Sequence, residues 1–255
     1  MFDKNVNVGG LMDNAMLLLA EQGSAESQYT MGCCFYNGDG VSKDLPEAVK
    51  WFRVAAEQGH VKAQHNLGVC YTNGYGVRQN INEAIKWFRQ AAEQGFVESQ
   101  HNLGMLYFTG QGVVRDMTMA EKWFRMAAEQ GDVKAQYYLG RCYTYGDGIP
   151  EDVVEAAKWF RMAAEQGHVK SQTAMAVLYA RGEGVVKDEA ESLKWYRMAA
   201  ENGDDTAQFV LGFCYHKGKG VGRDEKEAVK WYCKAAAQGN TNAEMMLRSI
   251  SEGLM

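Results

Sequence analysis

The chain has 255 residues, 46% of them hydrophobic, and a formal net charge of −5. That is apolar enough to exclude an intrinsically disordered chain. Charges of both signs are interspersed with no basic block, which sets aside nucleic acid and anionic membranes as partners, and two prolines against 28 glycines point to helices punctuated by glycine turns.

The first apolar run, Ala15 to Ala20, has no basic segment before it and leads straight into Glu-Gln-Gly. It fits a truncated helix better than a secretory signal, which needs a basic region, a longer apolar core and a cleavage site. No span approaches the ~20 apolar residues of a membrane helix. A cytoplasmic location without membrane insertion is therefore expected, or a secreted or periplasmic one where a leading signal has been removed.

From here the sequence repeats. The six tryptophans, Trp51, Trp87, Trp123, Trp159, Trp195 and Trp231, are evenly spaced, each 36 residues after the last (87 − 51). The glycines that follow Gln or Asn, from Gly23 through Gly59 and Gly95 to Gly239, keep the same spacing. A period of this length means a solenoid or array. The expected organisation is a single repeat domain over 1–255: half a repeat at 10–23, six full repeats over 24–239, and half a repeat or cap at 240–255.

Each repeat predicts two helices. In the second, helix A carries Ala63, Leu67, Cys70 and Tyr71 at helical spacing. Gly74 suits the left-handed residue past its end, and Gly76 a tight connection. Val77 is expected to plug the loop onto the core. An Asp-x-x-Glu pattern follows at Asp44/Glu47, Asp152/Glu155, Asp188/Glu191 and Asp224/Glu227, with Asn80/Glu83 as a variant. It reads as a capping box, in which each side chain satisfies an orphan backbone N–H. The third repeat breaks it with Asp116 and Met119. Helix B then runs from Glu83 to Gly95. Arg53 and Glu57 have the spacing of a weak surface pair. Gly68, Gly104, Gly140 and Gly212 are expected to admit a close helix contact, and Ala176 in the fifth repeat a slightly wider one. In the terminal half repeat, Met245, Met246 and Leu247 have no following helix B, an exposed cap through which copies could self-associate.

These residues resemble the Sel1-like repeat family, an α/α-solenoid relative of tetratricopeptide repeats. The fourth repeat shows the pattern as Ala135, Leu139–Gly140, Tyr143, the stretch 146–149, Asp152, Ala156, Trp159, Ala163–Ala164 and Gly167. The likeness covers roughly residues 11 to 250. It implies an all-α right-handed superhelix of helix-turn-helix repeats, and an adaptor: an assembly scaffold, a signalling regulator, or a bacterial factor that engages host proteins.

Some secreted members carry a disulfide across each helix pair, with two cysteines eight positions apart in every repeat. This sequence departs from that. Cys34, Cys70, Cys142 and Cys214 share one repeat slot, filled elsewhere by Leu106 and Leu178, which predicts small buried hydrophobes in the thiol form. Sulfurs in adjacent repeats would sit about 10 Å apart by helix-packing distances, beyond disulfide reach. Some cysteine-rich relatives have been linked to penicillin binding or β-lactamase activity, chemistry that ordinarily needs Ser-x-x-Lys. Ser27, Ser42, Ser99, Ser171, Ser192 and Ser249 all lack that lysine. With no P-loop, His-Glu-x-x-His or Cys-x-x-Cys either, neither an enzyme nor a cofactor is expected.

What remains is a stripe on helix A that varies between repeats, spaced as one helix face. Its candidate partner-binding residues are Tyr29, Tyr36, His65, His101, Met105, Phe108, Tyr137, Arg141, Tyr145, Arg181, Phe209, Phe213 and His216. Aromatics and arginine anchor interfaces through large area and a polar handle. Helix A lines the concave side in solenoids of this kind, so the stripe is expected to form a groove that binds a peptide or protein. His65 and His101 share a slot in adjacent repeats, too far apart for one metal ion.

Overall fold

The computed structural model describes residues 14–146 and 149–252. Residues 10–13 of the leading half repeat, Asp147 and Gly148 of the fourth connection, and 253–255 of the cap lie outside the described residues. Among those described there are α-helices and no strand. The chain groups into two compact halves, residues 1–130 and 131–255.

The N-terminal half holds α1 (Asn14–Glu21), α2 (Ala25–Asn37), α3 (Leu45–Glu57), α4 (Val61–Asn73), α5 (Ile81–Glu93), α6 (Val97–Thr109) and α7 (Met117–Glu129). The C-terminal half holds α8 (Val133–Tyr145), α9 (Val153–Glu165), α10 (Val169–Arg181), α11 (Glu189–Glu201), α12 (Asp205–Lys217), α13 (Glu225–Ala236) and α14 (Thr241–Ser251). From α2 onward, even-numbered helices are helix A and odd-numbered ones helix B. Within each half every helix packs on the next, which buries faces that no lone hairpin could cover.

The helix ends follow from the sequence. Gly74 sits at φ 75° beyond α4 and donates its N–H to the Cys70 carbonyl. The next glycine, Gly76, lies so close to the Leu45 carbonyl that a Cβ would not fit. At the start of helix B, Asp44 Oδ1 accepts from the Glu47 N–H at 2.9 Å, and Asp152 accepts from Glu155 likewise. The second half of the expected capping box does not form. The N-cap N–H turns instead to helix A: Asp44 donates to the Phe35 carbonyl, Asn80 to that of Tyr71 and Asp188 to that of Tyr179. The N3 glutamate is thereby released to the lysine one turn on, as in Glu47–Lys50 and Glu155–Lys158. That explains the tolerance of Met119, whose N–H still reaches Asp116 at 2.9 Å. Arg53 also departs from expectation, because its guanidinium donates to the Tyr71 hydroxyl at 2.6 Å rather than pairing with Glu57. Arg89–Tyr107, Arg161–Tyr179 and Arg197–Tyr215 repeat that contact.

Two devices fix how helix A sits. The first is a buried glutamine in its opening turn. Gln64 Nε2 donates to the Ala56 carbonyl at the end of α3, while its Oε1 accepts from Gln94 at the end of α5. Gln100 repeats this with Ala92 and Gln130, and Gln172 with Ala164 and Asn202. One amide thus ties together three helix ends. The second is the mid-helix glycine. A Cβ at Gly104 would lie 2.5 Å from the Phe124 ring, and one at Gly140 would lie 2.8 Å from Phe160. Gly32, Gly68 and Gly212 meet Phe52, Phe88 and Tyr232 in the same way.

Five cysteines are buried and Cys233 is exposed. Burial pushes the Cys70 thiol up to about 12, which leaves it protonated and inert at neutral pH. A maleimide or a thiol-reactive chromogen should therefore titrate one thiol of six in the native protein, at Cys233, and all six in denaturant. Gln100→Ala removes a buried amide with two hydrogen bonds. It should lower unfolding free energy by about 2–3 kcal/mol in urea titration, with the helical spectrum retained.

Candidate functional site

The variable stripe divides once its contacts are known. In the N-terminal half, Tyr29 is 3% exposed. It lies 6.0 Å from Phe52 and stacks on His60 at 4.6 Å. His65 is 5% exposed. Its ring lies 5.5 Å from Phe88 and 5.0 Å from Phe96, and Nδ1 is 2.9 Å from Ser99 Oγ. His101 is half-buried against Phe124 at 5.9 Å. These positions form one repeat slot, in which a helix A ring lies against the aromatic of its own helix B. In the C-terminal half Tyr137 meets Phe160 at 5.9 Å and Phe209 meets Tyr232 at 5.8 Å. His216 is also buried. The expectation that Tyr29, His65 and His216 face an open groove is therefore corrected: the interior of the repeats covers them. The slot keeps an aromatic ring in five of six repeats, and that regularity was the available signal for packing rather than recognition.

The remaining candidates stay accessible. Tyr36, Met105 and Phe108 are half-buried in the N-terminal half, with Tyr36 edge-on to Tyr75 and Phe108 edge-on to Phe124. In the C-terminal half Tyr145 is 64% exposed and Phe213 is 37% exposed. Arg181 is exposed and 3.7 Å from Glu183. The Arg141 guanidinium lies 5.9 Å from the Tyr137 and Tyr138 ring centroids and 5.6 Å from that of Tyr145. Four residues thus make a cation–aromatic cluster on one helix.

Sequence reasoning noted Ala176 and Arg181 in the fifth repeat but not that this repeat lacks the ring of the slot. The fifth repeat has Thr173 where the others carry a ring, with Ala174 beside it. A cavity of about 380 Å³ opens there, lined by Tyr137, Arg141, Phe160, Lys170, Val177 and Arg181 among others. The same repeat carries Ala176 in the glycine slot. Its helix B ring, Tyr196, is half-buried, whereas the counterparts Phe52, Phe88, Phe124, Phe160 and Tyr232 are buried. A second cavity of about 190 Å³ lies beside Tyr196 and Cys214. Among the described residues no group of His, Cys, Asp and Glu is placed to hold a metal ion, and no helix is long and apolar enough to cross a membrane. In α14, Met246, Leu247 and Ile250 pack against the cluster of Ala228, Tyr232, Ala235 and Ala243, leaving Met245 exposed; the expected apolar cap is narrower than its sequence suggests.

The sequence profile of the Sel1 repeat matches residues 25–60, 61–96, 97–132, 133–168, 169–204 and 205–240. The chain belongs to the Sel1 repeat family. Among solved structures it is similar to c5321, a protective antigen of uropathogenic Escherichia coli with an SLR fold. Identity is 39% and the TM-score 0.86, over 90% of this chain and 49% of that one. The chain thus spans about half the length of that antigen. A Sel1 repeat protein from Oxalobacter formigenes is 35% identical with a TM-score of 0.70, over 87% of this chain and 90% of that one. No curated protein matches. Sel1 repeat proteins are generally protein-interaction scaffolds and typically non-catalytic.

Burial pushes His65 down to about 4. The unfolded chain, with an ordinary histidine near 6.5, binds more protons than the folded one between those values. His65 therefore contributes stability that is complete above pH 6.5 and is lost as pH falls towards 4, by roughly 3 kcal/mol in all. His168, lowered by burial and by Lys170 and Lys134, acts in the same direction. Urea midpoints measured from pH 7 to 4 should fall, and His65→Leu should flatten part of that fall.

Proposed function

We propose that this Sel1 repeat protein is a non-catalytic adaptor that holds a peptide or protein segment on its helix A faces. One observation carries the reading: the accessible aromatic side chains at variable helical slots, Tyr36, Phe108, Tyr145 and Phe213, lie on helix A, with Met105 and Arg141 on the same helices. Helix B instead carries lysine–glutamate pairs in five repeats, as in Glu47–Lys50 and Glu227–Lys230, beside the exposed aliphatic side chains Val54, Val154 and Met162. Such exposed pairs contribute little to binding or stability. An aromatic or arginine held by packing on one side brings contact area at small entropic cost. The aromatic helix A face thus supports recognition, and the charged pairs of helix B support solubility.

The test is peptide selection on the whole chain from a displayed random library. Selected peptides should lose at least ten-fold in affinity on a Phe108→Ala, Arg141→Ala, Tyr145→Ala protein whose helical spectrum and melting temperature stay close to those of the parent. A Lys50→Ala, Lys158→Ala protein should bind as the parent does. Equal binding by parent and triple variant would overturn the reading.

A further inference from the structure

In five repeats one slot carries Tyr29, His65, His101, Tyr137 and Phe209, the first two buried and the other three half-buried. The ring rests on the helix B aromatic, and in three of them a ring from the first residue of the next repeat also covers it: His60 on Tyr29, Phe96 on His65 and His168 on Tyr137. In the fifth repeat the slot holds Thr173, and the covering position holds Asp204. Both rings are absent at the same place, and the C-terminal half has a cavity of about 380 Å³ there. An apolar cavity of about 150 Å³ already admits benzene, so one aromatic side chain and the backbone bearing it fit.

The charges lining this cavity are net positive. Its lining carries three cations, Arg141, Lys170 and Arg181, against two carboxylates, Glu183 and Asp204. Glu183 and Arg181 lie 3.7 Å apart as one ion pair, and Asp204 accepts the Ala207 N–H at 2.7 Å as the cap of α12, so the excess positive charge lies with Arg141 and Lys170. Arg141 is held by the tyrosine rings around it, so its planar fork is pre-oriented for a carboxylate. This basic rim belongs to a chain whose net charge is −5.

We propose that the fifth-repeat cavity binds an acidic peptide segment, which inserts one aromatic side chain over Thr173 and places flanking carboxylates on Arg141, Lys170 and Arg181. The partner's ring thereby fills the space that Thr173 leaves beside Tyr137 and Phe160. The inference rests on the adaptor reading and specifies its ligand class at one position.

The probe is a fluorescein-labelled peptide of sequence Gly-Asp-Glu-Asp-Phe-Asp-Glu-Asp-Gly, followed by anisotropy on the full chain at low salt. It should bind at least ten-fold tighter than the version with alanine for phenylalanine, and tighter than one with lysine for each acid. Thr173→Tyr restores in cis the residue that the first and fourth repeats carry. It should cut affinity at least ten-fold while the melting temperature holds or rises. Lys170→Glu changes an exposed side chain on a helix surface and should weaken binding at least three-fold, an effect that shrinks with added salt. Equal binding to parent and Thr173→Tyr would overturn the proposal. So would equal binding of the lysine peptide, or binding of a ten-residue thymidine oligonucleotide as tight as the acidic peptide. If the acidic peptide fails while library-selected peptides still depend on Phe108, Arg141 and Tyr145, the acidic class falls and the adaptor reading stands. If neither depends on those residues, both fall.

Discussion

A glutamine buried in the first turn of helix A governs much of this structure. A primary amide out of water costs several kcal/mol unless its donors and acceptor are satisfied. Here the partners are backbone and side-chain groups at the ends of two different helices. Satisfying Gln64 therefore places the end of α3, the start of α4 and the end of α5 together. An apolar residue in that position could slide along its neighbours, whereas an amide with two named partners cannot. Asn202, one methylene shorter, still reaches Gln172 at 3.1 Å in the fifth repeat.

Once that turn is pinned, the roll of helix A is set, and every other position on it acquires a fixed direction. The glycine four residues on faces the helix B ring, with no room for a methyl group. The residue one after the glutamine lies beside the same ring and is an aromatic or histidine wherever the packing is closed. A turn further the repeats diverge: Met105 and Arg141, half-buried, and Phe213, exposed, occupy one slot with three chemistries. The fifth repeat alters two of these rules together. Thr173 removes the covering ring and Ala176 puts a methyl in the glycine slot, and cavities lie on both sides of that helix.

The period, the helix limits, the left-handed glycines and the thiol slot were legible because each depends on local backbone geometry. A glycine at φ 75° or an aspartate before a helix acts within four residues of itself. The second half of the capping box was not legible. Glu47 chooses between the N-cap N–H and Lys50, and that choice is settled by Phe35, whose carbonyl takes the N–H first. Nor was the burial of Tyr29 and His65. Whether a helical position faces solvent or a neighbouring ring depends on the roll of the helix, which a contact to residues 23 positions away decides (52 − 29 and 88 − 65). Periodicity shows that a face exists, but not what lies opposite it. Tyr145 and Phe213 were readable as surface residues because they sit a turn beyond that contact.

The reach of the glutamine also bears on how the chain can be made. Gln64 finds one partner eight residues back and another thirty residues ahead. No buried amide in the series waits for a distant part of the chain. A repeat can close as soon as its own helix B has emerged from the ribosome, on a surface finished by the repeat before it. Synthesis can then add one layer at a time, and little unfinished apolar surface is exposed at any moment. For a protein built of near-identical segments this has a particular value, because a segment that docks at once on its predecessor has little chance to pair with the wrong copy.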